Sequence, residues 1–594
     1  MRKAVPILLT LGLLGASSGF LDAQHKSQDT RLDSLDTYVR EQMARRHIPG
    51  LSFAVIKDGR IVAARGYGVI DETNRAPVTT STLFQAGSIS KPVSALGALH
   101  LVEAGRLSLD SNVNGVLTSW HVPENDFTAR EKVTLRRILS HSAGLTVHGF
   151  PGYDLAQQIP TLVQILDGTP PANTAAIRAD TTPGSIWRYS GGGFTIMQQM
   201  INDVTGMPFP RFMEQTVLGP IGMMNSSFEQ PQPPQRAALT ASGFYADRTP
   251  VHGRWHVYPE LAAAGLWTTP TDLARFAIEI REAFAGRGHG VISPSMARQY
   301  LTGQMGGSGL GIVVQGSGKT LSFSHGGRDE GFDAFLFSYA ESGDGAVIMI
   351  NANDNSHFMG RIRNFIGRTW GWPDAGPAPV AVHNKQVGAT ILARYAGYYE
   401  FHENEMIVLA PNTEATGLET LADGLPDETF LALDSVRFRS SEDGIRVGFN
   451  VDSLGMTTGV LWQPGERANE RTVSRVAPLL STQQPSADPD QGLTNRITAA
   501  LQAIRRGGTT LLSEPNITSG AKRDFADWNG MDFDGIGALT YLGTGDVSGR
   551  SIHRHGTQVA RVRYYRMTTS AGTRYLLVHL AENGSVTDFD VMQK

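Results

Sequence analysis

A serine and a lysine three residues apart, Ser88 and Lys91, carry the clearest chemistry in this sequence. A serine hydroxyl becomes a strong nucleophile when a base removes its proton. A residue three positions further on lies one helical turn away, on the same face of a helix. Burial of that helix beside a cleft would make the lysine amine a usable base. The spacing therefore predicts Ser88 as a nucleophile and Lys91 as its activating partner.

The residues that follow Lys91 favour a buried helix beginning at Ser88. Apolar residues recur close to helical spacing, and Gly105 stands where a glycine commonly ends a helix. Taken alone, a motif of this kind more often marks a serine that simply caps an ordinary helix. A second serine–lysine pair, Ser519 and Lys522, has no apolar helical pattern after it. We expect this second copy to lie in a loop without a catalytic role.

Composition sets the class of protein. The chain has 594 residues, of which 41% are hydrophobic and 18% charged, and its net charge is −4. This length predicts several domains, and the weak negative charge gives no basis for binding nucleic acid. There are no cysteines, which excludes thiol catalysis, disulfides and cysteine-rich zinc sites.

The N-terminus has the pattern of an export signal. Arg2 and Lys3 precede an apolar stretch from Ile7 to Leu14, and a small residue, Ala23, stands before Gln24. We expect residues 1–23 to be a signal peptide and the mature protein to be secreted or periplasmic, without integral membrane contact. The alternative is an uncleaved N-terminal anchor, although the apolar stretch is short for a membrane span.

The body of the chain divides into segments of different pattern. Residues 30–375 mix strands and helices, with hairpin turns predicted at Asp58-Gly59 and at Gly343-Asp344-Gly345, and with a helix start at Thr269. Residues 390–475 are rich in strands, and residues 495–594 open with a helix and end in a strand meander. Segments rich in proline separate these parts. The pattern predicts an α+β protein whose first domain has an antiparallel sheet with helices packed on it.

Four motifs in order make residues 30–375 resemble a known family. They are Ser88-Ile89-Ser90-Lys91, Ser140-His141-Ser142-Ala143-Gly144-Leu145, Tyr189-Ser190-Gly191 and His325-Gly326-Gly327. Together they resemble the serine beta-lactamase and penicillin-binding-protein-like hydrolases of the class C type, which include family VIII esterases and D-aminopeptidases. The resemblance implies an antiparallel sheet flanked by helices plus a helical subdomain. The segment from Tyr395 to Tyr399 resembles the start of the lipocalin-like barrels that follow such domains, and residues 495–594 resemble a small α+β domain.

The resemblance also implies roles for the other motif residues. Tyr189 would share the proton of Ser88 with Lys91, and which of the two acts as the base stays open. The backbone N–H groups of Ser88 and Arg328 would hold the oxyanion, with His325, Gly326 and Gly327 lining the cleft. His141 and Ser142 are expected to be structural.

Two positions depart from the pattern of antibiotic-hydrolysing relatives. His325 stands in place of a lysine that would hold a carboxylate, and Gly191 in place of an asparagine that would bind an amide. His325 would still carry charge if protonated. Both departures favour esterase or peptidase activity over efficient beta-lactamase activity.

These observations predict a serine hydrolase that acts through an acyl-enzyme on small esters, amides or D-amino-acid peptides. The alternatives are a beta-lactamase or D-Ala-D-Ala carboxypeptidase, and a non-catalytic sensor that is acylated without turnover. We expect a small-molecule or short-peptide substrate, and no cofactor or metal. His553 and His555 alternate along a predicted strand without a third ligand nearby in the sequence. The sequence leaves the oligomeric state open.

Overall fold

The computed structural model describes residues 15–592 apart from 74, 289, 377–380, 404, 441, 465–468, 505–515, 527–536 and 570–571. The predicted signal peptide falls largely outside this range, since residues 1–14 are not described. The helices are α1 Gly15–Arg46, α2 Ser90–Glu103, α3 Asp126–Arg130, α4 Leu135–Leu139, α5 Leu162–Asp167, α6 Gly191–Thr205, α7 Phe209–Met213, α8 Leu261–Ala264, α9 Pro270–Phe284, α10 Pro294–Tyr300, α11 Phe358–Trp370, α12 Ala389–Tyr395, α13 Gln491–Ile504 and α14 Ser519–Ala526. None of the helices in these ranges is both long and apolar enough to cross a membrane.

The strands form three main sheets. They are β1 Gly50–Lys57, β2 Arg60–Gly68, β3 Phe84–Gln85, β4 Trp267–Thr268, β5 Val313–Gln315, β6 Ser322–Asp329, β7 Phe332–Tyr339, β8 Gly345–Ile350, β9 Gly397–His402, β10 Glu405–Pro411, β11 Gly417–Ala422, β12 Leu425–Ala432, β13 Arg437–Ser440, β14 Arg446–Val451, β15 Thr457–Gln463, β16 Arg471–Pro478, β17 Leu539–Asp546, β18 His553–Arg554, β19 Thr557–Gln558, β20 Arg561–Thr569, β21 Gly572–Leu580 and β22 Val586–Met592.

The first sheet is antiparallel, with strand order β2-β1-β8-β7-β6-β5. The two predicted hairpins are confirmed, because β1 pairs with β2 and β7 pairs with β8. Asp58 and Gly59 turn the first hairpin with φ values of 51° and 72°, a left-handed pair that fits the twist of a tight hairpin. Thr269 caps α9 by accepting a hydrogen bond from the Asp272 N–H at 3.2 Å, as the sequence predicts.

Helices cover both faces of this sheet. On one face α1 and α11 bury apolar side chains, among them Leu35, Val39, Ile362 and Ile366. On the other face α9 and the helical region around α2 and α6 enclose a larger apolar core. Burial on both faces makes the sheet a rigid platform, and the cleft lies where β6 meets the start of α2.

The next domain, called here the barrel domain, consists of α12 and strands β9–β16. Its eight strands close in the order β10-β11-β12-β13-β14-β15-β16-β9. Tyr395 of α12 enters the barrel core and stacks on Phe449, with ring centroids 3.9 Å apart. The predicted α+β class with a β-barrel after the first domain is therefore confirmed.

The last domain packs α13 and α14 on a four-stranded sheet of order β17-β20-β21-β22. The loop predicted around Ser519 is wrong, since Ser519 begins α14. Packing outweighs the local pattern here: Ala521 is fully buried, and a side chain on Gly520 would collide with His555. The strand predicted through His553 and His555 is only two residues long, and His555 turns with φ of 49°.

Buried ion pairs join the barrel domain to the first domain. The Arg46 side chain, at the end of α1, is fully buried and contacts Asp354 at 2.8 Å and Asp423 at 3.4 Å. It also donates to the backbone carbonyls of Ala422, Leu425 and Pro426 at 2.8–3.2 Å. A guanidinium whose donors are all used in this way fixes the β11–β12 turn against the first domain.

Candidate active site

Ser88 and Lys91 are in direct contact. Lys91 Nζ lies 2.8 Å from Ser88 Oγ and donates to the backbone carbonyl of Ala263 at 3.0 Å. Lys91 is only 2% exposed. The helix starts slightly later than the sequence predicts: Ser88 lies in a 3₁₀ turn, Gly87–Ile89, and α2 begins at Ser90. This tight turn brings the serine oxygen over the lysine.

The segment between α8 and β4 holds the serine turn in place. Ala86 N–H donates to the Leu266 carbonyl at 2.9 Å. In return, Leu266 N–H donates to Ser90 Oγ at 3.0 Å. Together with the bond from Lys91 to Ala263, these contacts fix the turn on both sides of Ser88.

Strand β6 packs directly against the serine turn through two glycines. A Cβ on Gly327 would lie 1.9 Å from the Ala86 carbonyl oxygen, and a Cβ on Gly87 would lie 2.4 Å from Arg328 N. Gly87 also has φ of 50°, which favours glycine. The backbone of Arg328 therefore lies beside the Ser88 turn, the arrangement that an oxyanion hole made from these two N–H groups requires.

The edge of β6 at the cleft is open. Strand β5 pairs with β6 only as far as Ser324, so among the described strands none covers this edge from His325 to Asp329. The Arg328 side chain turns away and pairs with Asp333, with both nitrogen–oxygen distances at 2.6–2.7 Å. Gly326 is exposed, with no atom within 4 Å of a Cβ placed on it. A substrate chain has room to lie along this edge.

Tyr189 stands across from Lys91. The centroid of its ring lies 4.9 Å from Lys91 Nζ and 4.2 Å from the ring of His141, which stacks on it. His141 Nδ1 accepts the Ser190 N–H at 3.2 Å, and Ser190 caps α6 through Gly193 N–H at 3.1 Å. His141 is therefore a buried, hydrogen-bonded support for the ring of Tyr189.

His325 is more deeply placed than the sequence suggests. It is 7% exposed, and its Nδ1 lies 2.5 Å from the Gly326 carbonyl oxygen. Burial, followed by the positive charge of Lys91, lowers the pKa of His325 to about 4. The imidazole is neutral at neutral pH, so it offers a substrate carboxylate no positive charge there.

Two buried carboxyl groups lie near the lysine side of the cleft. Glu260 and Asp329 are 0% and 3% exposed. Burial raises the pKa of Glu260 to about 8 and that of Asp329 well above its ordinary range. Burial thus favours the protonated form of both groups, which reduces the negative charge that they place near Lys91.

Gly191 is enclosed by a segment that sequence reasoning missed. It begins α6, and a Cβ on it would lie 2.9 Å from Phe150 Cε2 and 3.1 Å from the His148 carbonyl oxygen. The space for a side chain at position 191 is thus filled by His148 and Phe150. Three consecutive glycines after Ser190 were the signal that another segment packs closely here.

The second serine–lysine pair has none of these contacts. Ser519 is exposed at the start of α14, and within the described part of the chain no hydrogen bond joins Lys522 to it. Both serine–lysine pairs lie in helical segments. What distinguishes them is the set of contacts around the serine and the lysine.

Comparison with known proteins agrees with this geometry. Residues 35–366, more than half of the chain, match the family described as Beta-lactamase. Penicillin-binding protein 4 of Amycolatopsis lactamdurans is 26% identical over 60% of this chain and 95% of its own length. Penicillin-binding protein 4* of Bacillus subtilis is 23% identical over 72% of this chain and 95% of its own.

A solved structure shares the fold. The octameric penicillin-binding protein homologue from Pyrococcus abyssi is 20% identical, with a TM-score of 0.50 over 75% of this chain and 100% of that one. The match over residues 35–366 places the chain in the beta-lactamase family of serine hydrolases.

Proposed function

We propose that this protein is a serine hydrolase that acts through a covalent acyl-enzyme on small esters, amides or D-amino-acid peptides. The observation that carries the proposal is the 2.8 Å contact between Ser88 Oγ and the buried Lys91 Nζ. Ser88 attacks the carbonyl carbon, Lys91 and Tyr189 move the proton, and the N–H groups of Ser88 and Arg328 hold the oxyanion. Water then releases the acyl group.

Small acyl esters are the favoured substrates. The neutral His325 has no charge for a carboxylate, and the space beside Gly191 is occupied by Phe150 and His148. Esters with short acyl chains need neither contact, whereas penicillins and cephalosporins use both a carboxylate and an amide. A hydrolase specific for beta-lactams or for D-Ala-D-Ala termini is the alternative within the same chemistry.

The protein works outside the cytoplasm, either secreted or periplasmic, on a small-molecule or short-peptide substrate. The charged start and apolar stretch of residues 1–23 support this location. The net charge of −4 gives nucleic acid no electrostatic attraction.

Ser88→Ala tests the proposal directly, because it removes the attacking atom. With p-nitrophenyl butyrate, time-resolved mass spectrometry of the wild-type protein should show an acyl group that appears on Ser88 and clears. Ser88→Ala should show neither acylation nor turnover at an unchanged melting temperature. Ser519→Ala is the matched control and should behave as wild type.

The same measurement separates the alternatives. Persistent acylation without turnover would identify a sensor, and activity of Ser88→Ala close to wild type would refute the assignment. A panel of p-nitrophenyl esters, nitrocefin and D-amino-acid amides then ranks the substrate classes by kcat/KM.

A further inference from the structure

His148 lies on the open side of the cleft, next to Tyr189. Its ring centroid is 4.8 Å from that of Tyr189, with the ring planes tilted by 42°, and the residue is exposed. Among the described residues, none hydrogen bonds to either ring nitrogen of His148. His141 and His325, by contrast, direct Nδ1 to backbone groups. His148 therefore presents free imidazole nitrogens to the solvent of the cleft.

A strained backbone holds His148 in this position. The preceding residue, Val147, has φ of 61°, a left-handed conformation that a β-branched residue adopts at a cost. Two bonds from the start of α6 maintain it: Gly192 N–H donates to the Val147 carbonyl at 3.0 Å, and Gly191 N–H donates to the His148 carbonyl at 2.9 Å. The same helix start carries Tyr189, so the two side chains are fixed relative to each other.

The surroundings of His148 favour its neutral form, which can accept a proton. Partial burial, followed by the positive charge of Lys91, lowers the pKa of His148. The other titratable groups around it are Tyr189, on which its ring packs, and His141, whose own pKa is well below the ordinary value. A neutral imidazole beside water is a general base at neutral pH.

We propose that His148 is the general base that activates water in the deacylation step, while Lys91 and Tyr189 serve the acylation step. This inference rests on the proposed function. The water oxygen bonds to the acyl carbon as its proton passes to His148. The bond from that carbon to Ser88 Oγ then breaks, and the proton is relayed through Tyr189 and Lys91 to Ser88 Oγ, which restores the serine and releases a carboxylic acid.

The test compares His148→Gln with wild type in single-turnover reactions with p-nitrophenyl butyrate. Release of p-nitrophenol in the burst measures acylation, and loss of the butyryl group from Ser88, followed by mass spectrometry, measures deacylation. In His148→Gln we expect acylation within about threefold of wild type and deacylation slower by roughly 10²–10⁴-fold, the usual contribution of a general base. His121→Gln, at an exposed histidine that is not among the site residues described above, is the matched control and should change neither rate.

Two further readouts distinguish a base from a structural contact. Added imidazole should restore deacylation in His148→Ala. The wild-type deacylation rate should fall on acidification with an apparent pKa below about 6.5, and this titration should be absent in His148→Gln.

The outcomes separate this inference from the function on which it rests. If Ser88 acylates normally in His148→Gln and clears at the wild-type rate, the role of His148 is overturned while the hydrolase stands. Equal loss of acylation and deacylation would also overturn it, since that is the effect of a general distortion. If no acyl group forms on Ser88 even in wild type, the proposed function falls and this inference with it.

Discussion

Lys91 and Tyr189 both lie close to Ser88. Lys91 Nζ contacts Ser88 Oγ directly, and the ring of Tyr189 lies on the other side of the lysine amine. Groups placed like this act as one unit, so their contributions are not additive. We expect Tyr189→Phe and Lys91→Ala each to lower kcat/KM by roughly 10²–10⁴-fold. The double variant should lose far less than the product of the two losses. Kinetics of ester hydrolysis check this, and losses that simply multiply would argue for separate roles.

The buried position of His325 changes the expected pH behaviour of substrate selection. With a pKa of about 4, His325 is already neutral above pH 5, so protonation of this residue cannot create a carboxylate preference near neutrality. The ratio of kcat/KM for nitrocefin to that for p-nitrophenyl butyrate should therefore be flat between roughly pH 6 and 8. A ratio that falls with a midpoint near about 6.5 would show that His325 titrates as in solution.

His325→Lys should place a cation in the cleft at the position where the resemblance to antibiotic-hydrolysing enzymes implies one. One contact with a charged group is worth about ten- to a hundredfold in specificity, so the same ratio should rise at pH 8. His121→Lys adds the same charge at an exposed site and is the control. An unchanged ratio in His325→Lys would mean that no substrate carboxylate reaches this position.

The sequence alone predicts the roles of some site residues, but it gives no indication of others. Ser88, Lys91 and Tyr189 stand in motifs whose order identifies them, and the structure brings the three together. His148 has no motif, because its position depends on the left-handed backbone of Val147 and on packing against Tyr189. Backbone strain of this kind arises from tertiary contacts that local sequence does not encode.

Among the elements around the site, β6 has a strict steric requirement at one glycine. The backbone of Gly327 fits against Ala86 with no room for a methyl group, while Gly326 faces open space. Gly327→Ala should push β6 away from the serine turn, and a displacement of about 1 Å at a reacting centre can lower kcat/KM by roughly 10²-fold.

Gly326→Ala, at the neighbouring glycine, is the control variant. It should leave the melting temperature unchanged, whereas Gly327→Ala lowers it through overpacking. Thermal unfolding and ester kinetics on both variants provide the test. Equal melting temperatures for the two would show that β6 can shift without cost.

The sequence predicts helices and strands correctly where the residues of a turn or a helix cap are characteristic. The hairpins at Asp58-Gly59 and Gly343 and the cap at Thr269 follow from residues whose local conformations are restricted. The prediction failed at Ser519, where no apolar helical pattern follows, because the helix depends on burial of Ala521 and on the close fit of Gly520 against His555. It also placed the start of α2 two residues early, since a 3₁₀ turn and an α-helix share the same sequence signals.

For the whole molecule, Arg46 links two domains through charges removed from water. Arg46→Ala would leave Asp423 without its buried arginine, while Asp354 keeps an ion pair with Arg248 at 3.1 Å. Breaking a buried pair costs about 3–5 kcal/mol. We expect a clearly lower apparent melting temperature, measured at one scan rate. The adjacent Arg45 is the control: its side chain is 24% exposed and pairs with Glu442, so Arg45→Ala should cost roughly 1 kcal/mol or less. Similar losses in both variants would contradict a special role for Arg46.

The same buried arginine has a consequence for how the protein is made. Arg46 and Asp423 are separated by 377 residues of chain. At synthesis rates of 5–20 residues per second, roughly 20–75 s pass between their emergence from the ribosome. During that interval the end of α1 lacks the groups that surround it in the finished protein. The N-terminal part of the chain therefore lacks these contacts until the barrel strands have been synthesised, so the buried pair between the two domains is among the later contacts to form.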